Sequence, residues 1–170
     1  VLGATGRTGS SVVKELIKRD SFDKVIAVGN SRTPSFEDQR VTSLQCPLAD
    51  LPSKSNFWEG VSALFICIGT QRKKSGLQGQ IKLELDDTLA VAQSAKQAGV
   101  TRCAIVTTAG ANANGMFTYV QTKGKVEEGL KGQGFDTLVI ARPGFILGGD
   151  RGPSPDSFGV KVLRMFGLSS

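Results

Sequence analysis

The sequence opens with a glycine-rich segment, Gly3-Ala4-Thr5-Gly6-Arg7-Thr8-Gly9, which constrains the fold more than any other stretch. Glycines at this spacing let a strand turn sharply into a helix, because glycine tolerates positive φ and allows backbone N–H groups to approach a ligand closely. The positive N-terminal end of the following helix favours a phosphate. The segment therefore predicts a dinucleotide site, provided that strands and a helix flank it as required.

The residues after this segment supply those elements. Val12, Val13 and Leu16 repeat at helical spacing and predict a helix over residues 7–19. Residues 24–28 form a short apolar run rich in β-branched side chains, as expected of a buried parallel strand. The turn, the helix and a second strand therefore follow one another in the order that the motif needs.

Strands and helices alternate along the rest of the chain. Further strands are predicted at residues 41–46, 61–68, 102–106 and 137–141, and helices at residues 50–58, 80–98 and 117–131. Residues 30–39 and 71–79 are predicted as loops. This alternation predicts a single α/β domain with a doubly wound parallel sheet. Ligands in that architecture bind at the carboxyl ends of the strands.

The composition narrows the possible chemistry. The 170 residues include no histidine, which excludes Ser-His-Asp catalysis, Cys-His catalysis and His-ligated metal sites. The net charge is +6, but the basic residues are spread along the chain without interleaved aromatics, so nucleic-acid binding is not favoured. A site for an anionic cofactor explains the excess charge as well as an ordinary basic surface does, and we expect no metal.

The cysteines and the apolar runs bear on location. Cys46, Cys67 and Cys103 are odd in number, and two of them lie in apolar strand-like runs, which is typical of free buried thiols in a reducing compartment. No apolar run approaches the roughly 20 residues that span a bilayer, and no signal-peptide pattern opens the chain. We therefore expect a cytoplasmic protein without a membrane partner.

The end of the second strand predicts which cofactor binds. NAD sites carry Asp or Glu roughly 20 residues beyond the glycine motif, where the carboxylate accepts from the ribose 2′-OH. Here the sequence reads Val28-Gly29-Asn30-Ser31-Arg32 and contains no carboxylate. Arg32, together with Arg7 in the glycine turn, is suited to pair with a 2′-phosphate. We therefore predict NADP rather than NAD, with a merely solvated Arg32 as the alternative.

A tyrosine and a lysine on the last predicted helix indicate proton-transfer chemistry. Tyr119 is the only tyrosine in the chain, and Lys123 follows it by four residues, so the two share one helix face. A neighbouring ammonium favours the phenolate, which makes Tyr119 a suitable acid for an oxygen that has just received hydride. The pair also occurs as an exposed helical pair, and the nucleotide turn and the strand-end hydroxyls before it strengthen the catalytic interpretation.

These segments together resemble the atypical short-chain dehydrogenase/reductases, whose NAD(P)-binding Rossmann fold agrees with the fold predicted above. The matching segments are the glycine turn, Ile68-Gly69-Thr70, Val106-Thr107-Thr108, Tyr119 with Lys123, and Arg142-Pro143-Gly144. Within that superfamily, residues 69–76 and 119–127 resemble the Tat-interacting-protein subgroup. The resemblance covers nearly the whole chain.

The resemblance implies a role for each matching residue. Tyr119 would be the proton donor, Lys123 would bind the nicotinamide ribose, and Thr108, or with less support Thr107, would replace the family serine. The cofactor-binding residues that it implies, together with those argued above, are Gly3, Thr5, Gly6, Arg7, Thr8, Gly9, Arg32, Gly69, Thr70, Lys123 and Pro143.

Two functions remain open at this point. The first is an NADP-dependent oxidoreductase that transfers hydride between NADPH and a small carbonyl or alcohol substrate. The second is an NADP(H)-binding regulatory module with a protein partner and little turnover. The second is supported by the threonine in place of serine, by the missing Asn-Ala-Gly motif of conventional members and by a subgroup named for a protein interaction.

The ends of the chain and two glycines raise further expectations. Only Val1 and Leu2 precede Gly3, and only 27 residues follow Pro143, so we expect truncation at both ends. We expect residues 1–170 to form a Rossmann domain, with a small substrate-binding region starting near residue 144. Residues 158–166 are predicted to form an amphipathic helix.

Gly124 and Gly129 weaken their helix, which close packing on the sheet or on a second subunit would explain. Residues 109–115 are either a lid over the site or a connector.

Overall fold

The computed structural model describes residues 1–70 and 72–144 of the chain. Within these ranges, five parallel strands form the sheet: β1 (Val25–Gly29), β2 (Val41–Gln45), β3 (Ala63–Ile66), β4 (Arg102–Val106) and β5 (Thr137–Ala141). β1 pairs with β2, β3 with β4, and β4 with β5.

The first residues of the chain join the two halves of the sheet. Leu2 makes parallel bridges to Val28 of β1 and to Ile66 of β3, so the segment before the glycine turn lies between these strands. The order across the sheet is therefore β2, β1, the Leu2 segment, β3, β4 and β5. Because the chain moves outward from Leu2 in both directions, the glycine turn lies at the switch in strand order, where a doubly wound sheet binds its ligand.

Helices cover both faces of this sheet. The α-helices of the described residues are α1 (Arg7–Arg19), α2 (Arg72–Ile81), α3 (Thr88–Gln97) and α4 (Thr118–Gly132). A π-helical segment, Lys82–Asp87, joins α2 to α3. Two short 3-10 helices, Leu48–Ser53 and Ser55–Trp58, follow β2.

The central strands β1, β3 and β4 are buried on both faces, which explains their largely apolar sequences, whereas β2 has no fully buried residue. Successive residues contribute to different core clusters. One cluster contains Ala27, Phe65 and Ala104 with Val12 and Leu16 of α1. The other contains Val28, Ile66 and Ile105 with Val91 of α3 and Leu130 of α4. The predicted α/β architecture with a doubly wound parallel sheet is confirmed.

Most predicted elements agree closely with the structure. The helix over residues 7–19 and the strands over residues 102–106 and 137–141 have the predicted bounds. The helix predicted at residues 50–58 is instead two 3-10 helices, with Pro52 inside the first. The predicted amphipathic helix at residues 158–166 and the substrate-binding region expected from about residue 144 fall almost entirely outside the described residues.

The prediction for residues 71–98 was wrong in two respects. The expected loop at residues 71–79 is largely helical, and α2 accommodates Gly76 as a kink with φ 68° and ψ 175°. The single helix expected over residues 80–98 is interrupted by the π-helical segment. As a result Ala90, expected inside, is exposed, whereas Glu84 is buried. No helix within the described ranges has the length and apolar character needed to cross a membrane.

Candidate nucleotide-binding cleft

A cleft of about 290 Å³ lies at the carboxyl edge of the sheet, around the switch in strand order. Its walls come from the glycine turn, the ends of β3 and β4, the π-helical segment and α4. The lining residues are Gly6, Arg7, Thr8, Cys67, Ile68, Gly69, Thr70, Glu84, Val106, Thr107, Tyr119 and Lys123. Segments that the sequence placed at separate strand ends therefore meet in one cleft.

The glycine turn is packed so tightly that side chains would not fit. Gly3 has φ +77°, and a Cβ built on it would lie 2.5 Å from the carbonyl oxygen of Cys67. A Cβ on Gly9 would lie 2.2 Å from the carbonyl oxygen of Gly3. Backbone atoms cannot move away as a flexible side chain can, so both positions require glycine.

The N-terminus of α1 faces this cleft without a capping side chain. Gly6 is the N-cap, no side chain caps the helix there, and the first turn contains no acidic residue. Helix N-terminal N–H groups point out of the helix and favour an anion at that place. A nucleotide phosphate therefore fits the geometry of Gly6, Arg7 and Thr8 at the cleft wall.

The end of β1 packs directly against the glycine turn. A Cβ on Gly29 would lie 2.0 Å from the carbonyl oxygen of Arg32 and 2.7 Å from Cγ2 of Thr5. The Arg32 guanidinium donates to the carbonyl oxygen of Thr5 at 3.2 Å and is otherwise exposed. Arg32 thus lies beside the turn but outside the cleft lining, where it can meet a group on the ribose side of a nucleotide.

Tyr119 and Lys123 both line the cleft from α4, one turn apart. Tyr119 is 48% exposed, so its phenol is accessible at the mouth of the cleft. The Lys123 side chain is only 6% exposed. Its Nζ donates to the carbonyl oxygen of Ile68 at 3.3 Å and lies 2.8 Å from Oε2 of Glu84.

Glu84 is a site residue that the sequence analysis missed. Its side chain is 1% exposed, and its Oε1 accepts from the Thr70 backbone N–H at 2.8 Å and from the Gln80 amide at 3.3 Å. The run Leu83-Glu84-Leu85 contained a signal, because helix residues two apart point in nearly opposite directions. Both leucines cannot face inward in a regular helix, and the π-helical segment instead leaves them half-buried around a buried Glu84.

A second buried carboxylate fixes the end of β4. Glu127 is 2% exposed, and its Oε1 accepts from the Thr107 hydroxyl at 2.6 Å. The Arg142 guanidinium donates from Nε to both carboxylate oxygens, at 3.0 and 3.1 Å, and from its terminal nitrogen to Oε2. Burial opposes ionisation of Glu127, but these hydrogen bonds outweigh it and hold the pKa of the carboxyl below its ordinary value.

This network separates the two candidate threonines. The Thr107 hydroxyl, which lines the cleft, is committed as a donor to Glu127, so it can accept from a ligand but not donate to one. Thr108 is half-buried, lies outside the cleft lining and uses its carbonyl oxygen to accept from the Ala111 N–H at 3.2 Å. Its hydroxyl is therefore the one of the pair without a carboxylate partner in the described part of the chain.

Of the remaining predicted residues, Gly69 and Thr70 line the cleft at the end of β3 and Pro143 does not line it. Pro143 is half-buried and accepts the Ala109 N–H at 2.7 Å through its carbonyl oxygen. Cys67 lines the cleft and Cys103 lies in the core, and burial raises the pKa of each thiol to about 12, so both are protonated, inert thiols near neutral pH.

Close packing explains both helix glycines. A Cβ on Gly124 would lie 2.1 Å from the Ala113 backbone nitrogen, so the loop at residues 109–115 rests directly on α4. A Cβ on Gly129 would lie 2.6 Å from Leu89 Cδ1 of α3. Close packing is therefore found, but on the preceding loop and on a neighbouring helix of the same chain rather than on the sheet or a second subunit as expected.

These features define a class of protein: an α/β protein whose glycine turn, uncapped helix N-terminus and switch in strand order fit a dinucleotide. A family model described as NAD(P)H-binding matches residues 3–156. The chain therefore belongs to the NAD(P)H-binding family.

Two curated relatives narrow this assignment. The chain is 31% identical over 150 residues to protein HTATIP2 of Rattus norvegicus, spanning 86% of this chain and 62% of that protein. It is 34% identical over 173 residues to the mitochondrial protein FMP52 of Eremothecium gossypii, spanning 98% of this chain and 74% of that protein. The predicted resemblance to atypical short-chain dehydrogenase/reductases of the Tat-interacting-protein kind is confirmed.

A solved structure shows the same fold. The Bordetella bronchiseptica enzyme WbmH in complex with NAD+ superposes with a TM-score of 0.66 at 19% identity, covering 82% of this chain and 53% of that one. The chain thus spans less than two thirds of the rat relative and about half of this structural neighbour.

Proposed function

We propose that the chain is the nucleotide-binding part of an NADP-dependent oxidoreductase, which transfers hydride between NADPH and a small carbonyl or alcohol substrate. The observation that carries the proposal is the placement of Tyr119 and Lys123 in the same cleft as the glycine turn. A Tyr-x-x-x-Lys pair on a remote helix face would carry no such weight. The substrate-binding region is proposed to begin near residue 144.

In this proposal Tyr119 and Lys123 have different roles in the reaction. A bound reduced nicotinamide supplies the hydride. Tyr119 donates its phenolic proton to the substrate oxygen, and its exposed position at the cleft mouth suits contact with a small molecule. Lys123 holds the nicotinamide ribose through its ammonium, which donates to the Ile68 carbonyl oxygen and is ion-paired with Glu84.

The second hydroxyl of the site is assigned to Thr108. A substrate carbonyl needs a donor, and the Thr107 hydroxyl already donates to Glu127. This supports the choice of Thr108 as the replacement for the family serine, with Thr107 holding the end of β4 in place.

We propose NADP rather than NAD because of the charged residues near the glycine turn, where the adenosine ribose would bind. The β1 end and the residues after it, Gly29 to Arg32, contain no carboxylate that would accept from a ribose 2′-OH. The Arg32 guanidinium lies against the glycine turn, and Arg7 lines the cleft. Two guanidinium groups close to the turn suit a 2′-phosphate.

Turnover is the test of this function. The full-length protein is assayed for NADPH consumption against a panel of aldehydes and ketones, alongside Tyr119→Phe and Lys123→Met. We expect each variant to lose most of the activity, since the first loses the proton donor and the second the ribose contact. Lys125→Met, an exposed lysine on the same helix, is the matched control and should retain it. Full activity in Tyr119→Phe would show that Tyr119 is not the proton donor.

A regulatory function is the second candidate, and one surface feature favours it. Met116 is 96% exposed and Phe117 is 75% exposed, and both immediately precede α4, the helix that carries Tyr119. Exposed large apolar side chains next to a helix of the nucleotide site suit a protein partner whose binding depends on the cofactor. Tight NADPH binding without turnover, together with partner capture that Met116→Ser and Phe117→Ser abolish, would support this function instead.

The location proposed for the protein is the cytoplasm. Cys46, Cys67 and Cys103 are free thiols, which suits a reducing compartment. The FMP52 relative carries the word mitochondrial in its name, so the two locations are the alternatives to distinguish. Imaging of the tagged full-length protein against mitochondrial and cytosolic markers decides between them.

A further inference from the structure

The most unusual feature of the cleft is that its lysine is ion-paired by a buried carboxylate from another element. Glu84 and Lys123 have side chains that are 1% and 6% exposed, and their charged atoms lie 2.8 Å apart. The two residues are 39 positions apart in sequence and belong to the π-helical segment and to α4. Nothing in the resemblance discussed above assigns a role to Glu84.

The Glu84 carboxylate serves two parts of the cleft at once. Its Oε2 faces Lys123, while its Oε1 accepts from the Thr70 N–H at the end of β3. Thr70 and Lys123 are both among the residues proposed to meet the nucleotide. A change at this one carboxylate would therefore move both contacts.

The backbone is distorted at the place that carries Glu84. π-helical turns are rare, and those inside α-helices are frequently found at functional sites. Here the segment Lys82–Asp87 brings a charged side chain inward where a regular helix continuing into α3 would favour apolar contacts. A buried ion pair also contributes little stability compared with a well-packed apolar pair. Stability alone is thus a poor explanation for this arrangement.

Near Lys123, the other carboxylate is already paired and the neighbouring thiol is neutral. Glu127, on the next turn of α4, is bound by Arg142 and Thr107. The Cys67 thiol is kept protonated by burial, which raises its pKa to about 12. Tyr119 and Arg7 line the same cleft from α4 and from the start of α1. Glu84 is thus the carboxylate that balances the buried ammonium.

We propose that Glu84 is a positioning residue of the nucleotide cleft. Its carboxylate holds the Lys123 ammonium and the Thr70 backbone N–H in a fixed relation, so that both meet the nucleotide together. The proposal rests on the proposed function in one respect, namely that the cleft takes a nicotinamide nucleotide.

The first test measures nucleotide affinity rather than activity. NADPH binding is followed by fluorescence titration of the full-length parent protein, Glu84→Gln, Glu84→Asp and the control Asp86→Asn. Asp86 is an exposed carboxylate in the same π-helical segment. Loss of a charged hydrogen-bonding partner predicts an affinity about tenfold or more weaker in Glu84→Gln. Glu84→Asp keeps the negative charge on a shorter side chain and should recover part of the NADPH affinity. Asp86→Asn should bind NADPH as tightly as the parent protein does.

Two results would contradict a positioning role for Glu84. If Glu84→Gln melts at a lower temperature but binds NADPH with the parent affinity well below that temperature, Glu84 only stabilises the fold. If Glu84→Gln does not fold, Glu84→Asp decides: a folded variant with unchanged affinity and unchanged labelling of Lys123 would overturn the proposal.

The second test needs no nucleotide, so it separates this inference from the proposed function. Lysine amines are labelled with acetic anhydride, and the extent at Lys123 is read from its peptide by mass spectrometry. A buried ammonium without a paired carboxylate gives up its proton more readily and then reacts as the free amine. We expect labelling several-fold faster in Glu84→Gln than in the parent or in Asp86→Asn.

The two tests together identify which idea fails. Equal labelling in all variants means that Glu84 does not hold Lys123, and the positioning role is wrong. Failure of the parent protein to bind either NADPH or NADH, with faster labelling in Glu84→Gln, means that the ion pair exists as described but the proposed function is wrong, and the positioning role toward a nucleotide falls with it.

Discussion

The two walls of the cleft are built in different ways. The wall at the start of α1 is made of backbone: Gly3 and Gly9 lie so close to neighbouring carbonyl groups that no side chain fits. The wall at α4 is made of paired charges, with Glu84 bound to Lys123 and Glu127 bound to Arg142. A backbone wall suits phosphates whatever side chains surround it, whereas a wall of paired charges fixes particular side chains for chemistry.

The largest effect should come from filling the backbone wall. Gly9→Ala places a Cβ about 2.2 Å from the Gly3 carbonyl oxygen, so the turn must move. We expect about 3 kcal/mol or more of lost unfolding free energy, measured by urea denaturation, and loss of NADPH binding. Gly132→Ala is the control, because nothing lies within 4 Å of a Cβ there, and it should be neutral or slightly stabilising. Equal effects of the two changes would remove the distinction between a packed turn and an ordinary glycine.

The next effect concerns the charged wall and depends on pH. The pKa of Glu127 is lower in the folded protein than its ordinary value, so its ionised form stabilises the fold. That contribution is complete above the ordinary glutamate value and is lost as the pH falls through the lowered folded value. Glu127→Gln should cost roughly 1–2 kcal/mol at pH 7, a modest figure because Arg142 is half exposed.

This pH dependence is checked by thermal unfolding of the parent and of Glu127→Gln between pH 7 and pH 3. The gap in melting temperature should narrow as the pH falls. Glu128→Gln, an exposed neighbour on the same helix, should show no gap at either end. A gap that widens toward low pH would mean that the carboxyl is not stabilised in its ionised form.

The next prediction concerns Arg32, the side chain beside the glycine turn that is proposed to bind the 2′-phosphate. Arg32→Ala should reduce the preference for NADPH over NADH by about tenfold, since a charged hydrogen bond to the 2′-phosphate is lost. Arg102→Ala changes the net charge equally. Arg102 begins β4, at the amino ends of the strands and away from the cleft, so this change should leave the preference for NADPH unchanged. Affinities are compared by titration with both nucleotides, and equal affinities in the parent protein would defeat the 2′-phosphate argument.

The smallest effects separate the two threonines. Thr108→Val should lower kcat about tenfold with little change in stability, because it removes the proposed substrate donor. Thr107→Val should cost about 1 kcal/mol of stability through the lost hydrogen bond to Glu127. Measuring kcat and urea unfolding for both variants distinguishes a structural from a catalytic hydroxyl after the end of β4. The reverse pattern would assign the catalytic hydroxyl to Thr107.

The backbone wall was predictable from sequence, and the charged wall only in part. Gly3 and Gly9 indicate the turn because only glycine tolerates such close backbone contact. Apolar periodicity located α1 and the strands. Tyr119 and Lys123 were found by their spacing on one helix. Glu84 and Glu127 were missed, because their partners lie far away in sequence and a glutamate in a helix usually faces solvent. The π-helical segment escaped prediction for the same reason, since the contacts that define it are tertiary.

The most direct measurement of the central claim is a crystal structure of the full-length protein with NADP bound. The account predicts the pyrophosphate at the N-terminus of α1, the 2′-phosphate beside Arg32, and the nicotinamide ribose at Lys123 with Tyr119 facing the ring. A nucleotide bound with its nicotinamide away from Tyr119 and Lys123, or bound outside this cleft, would contradict it.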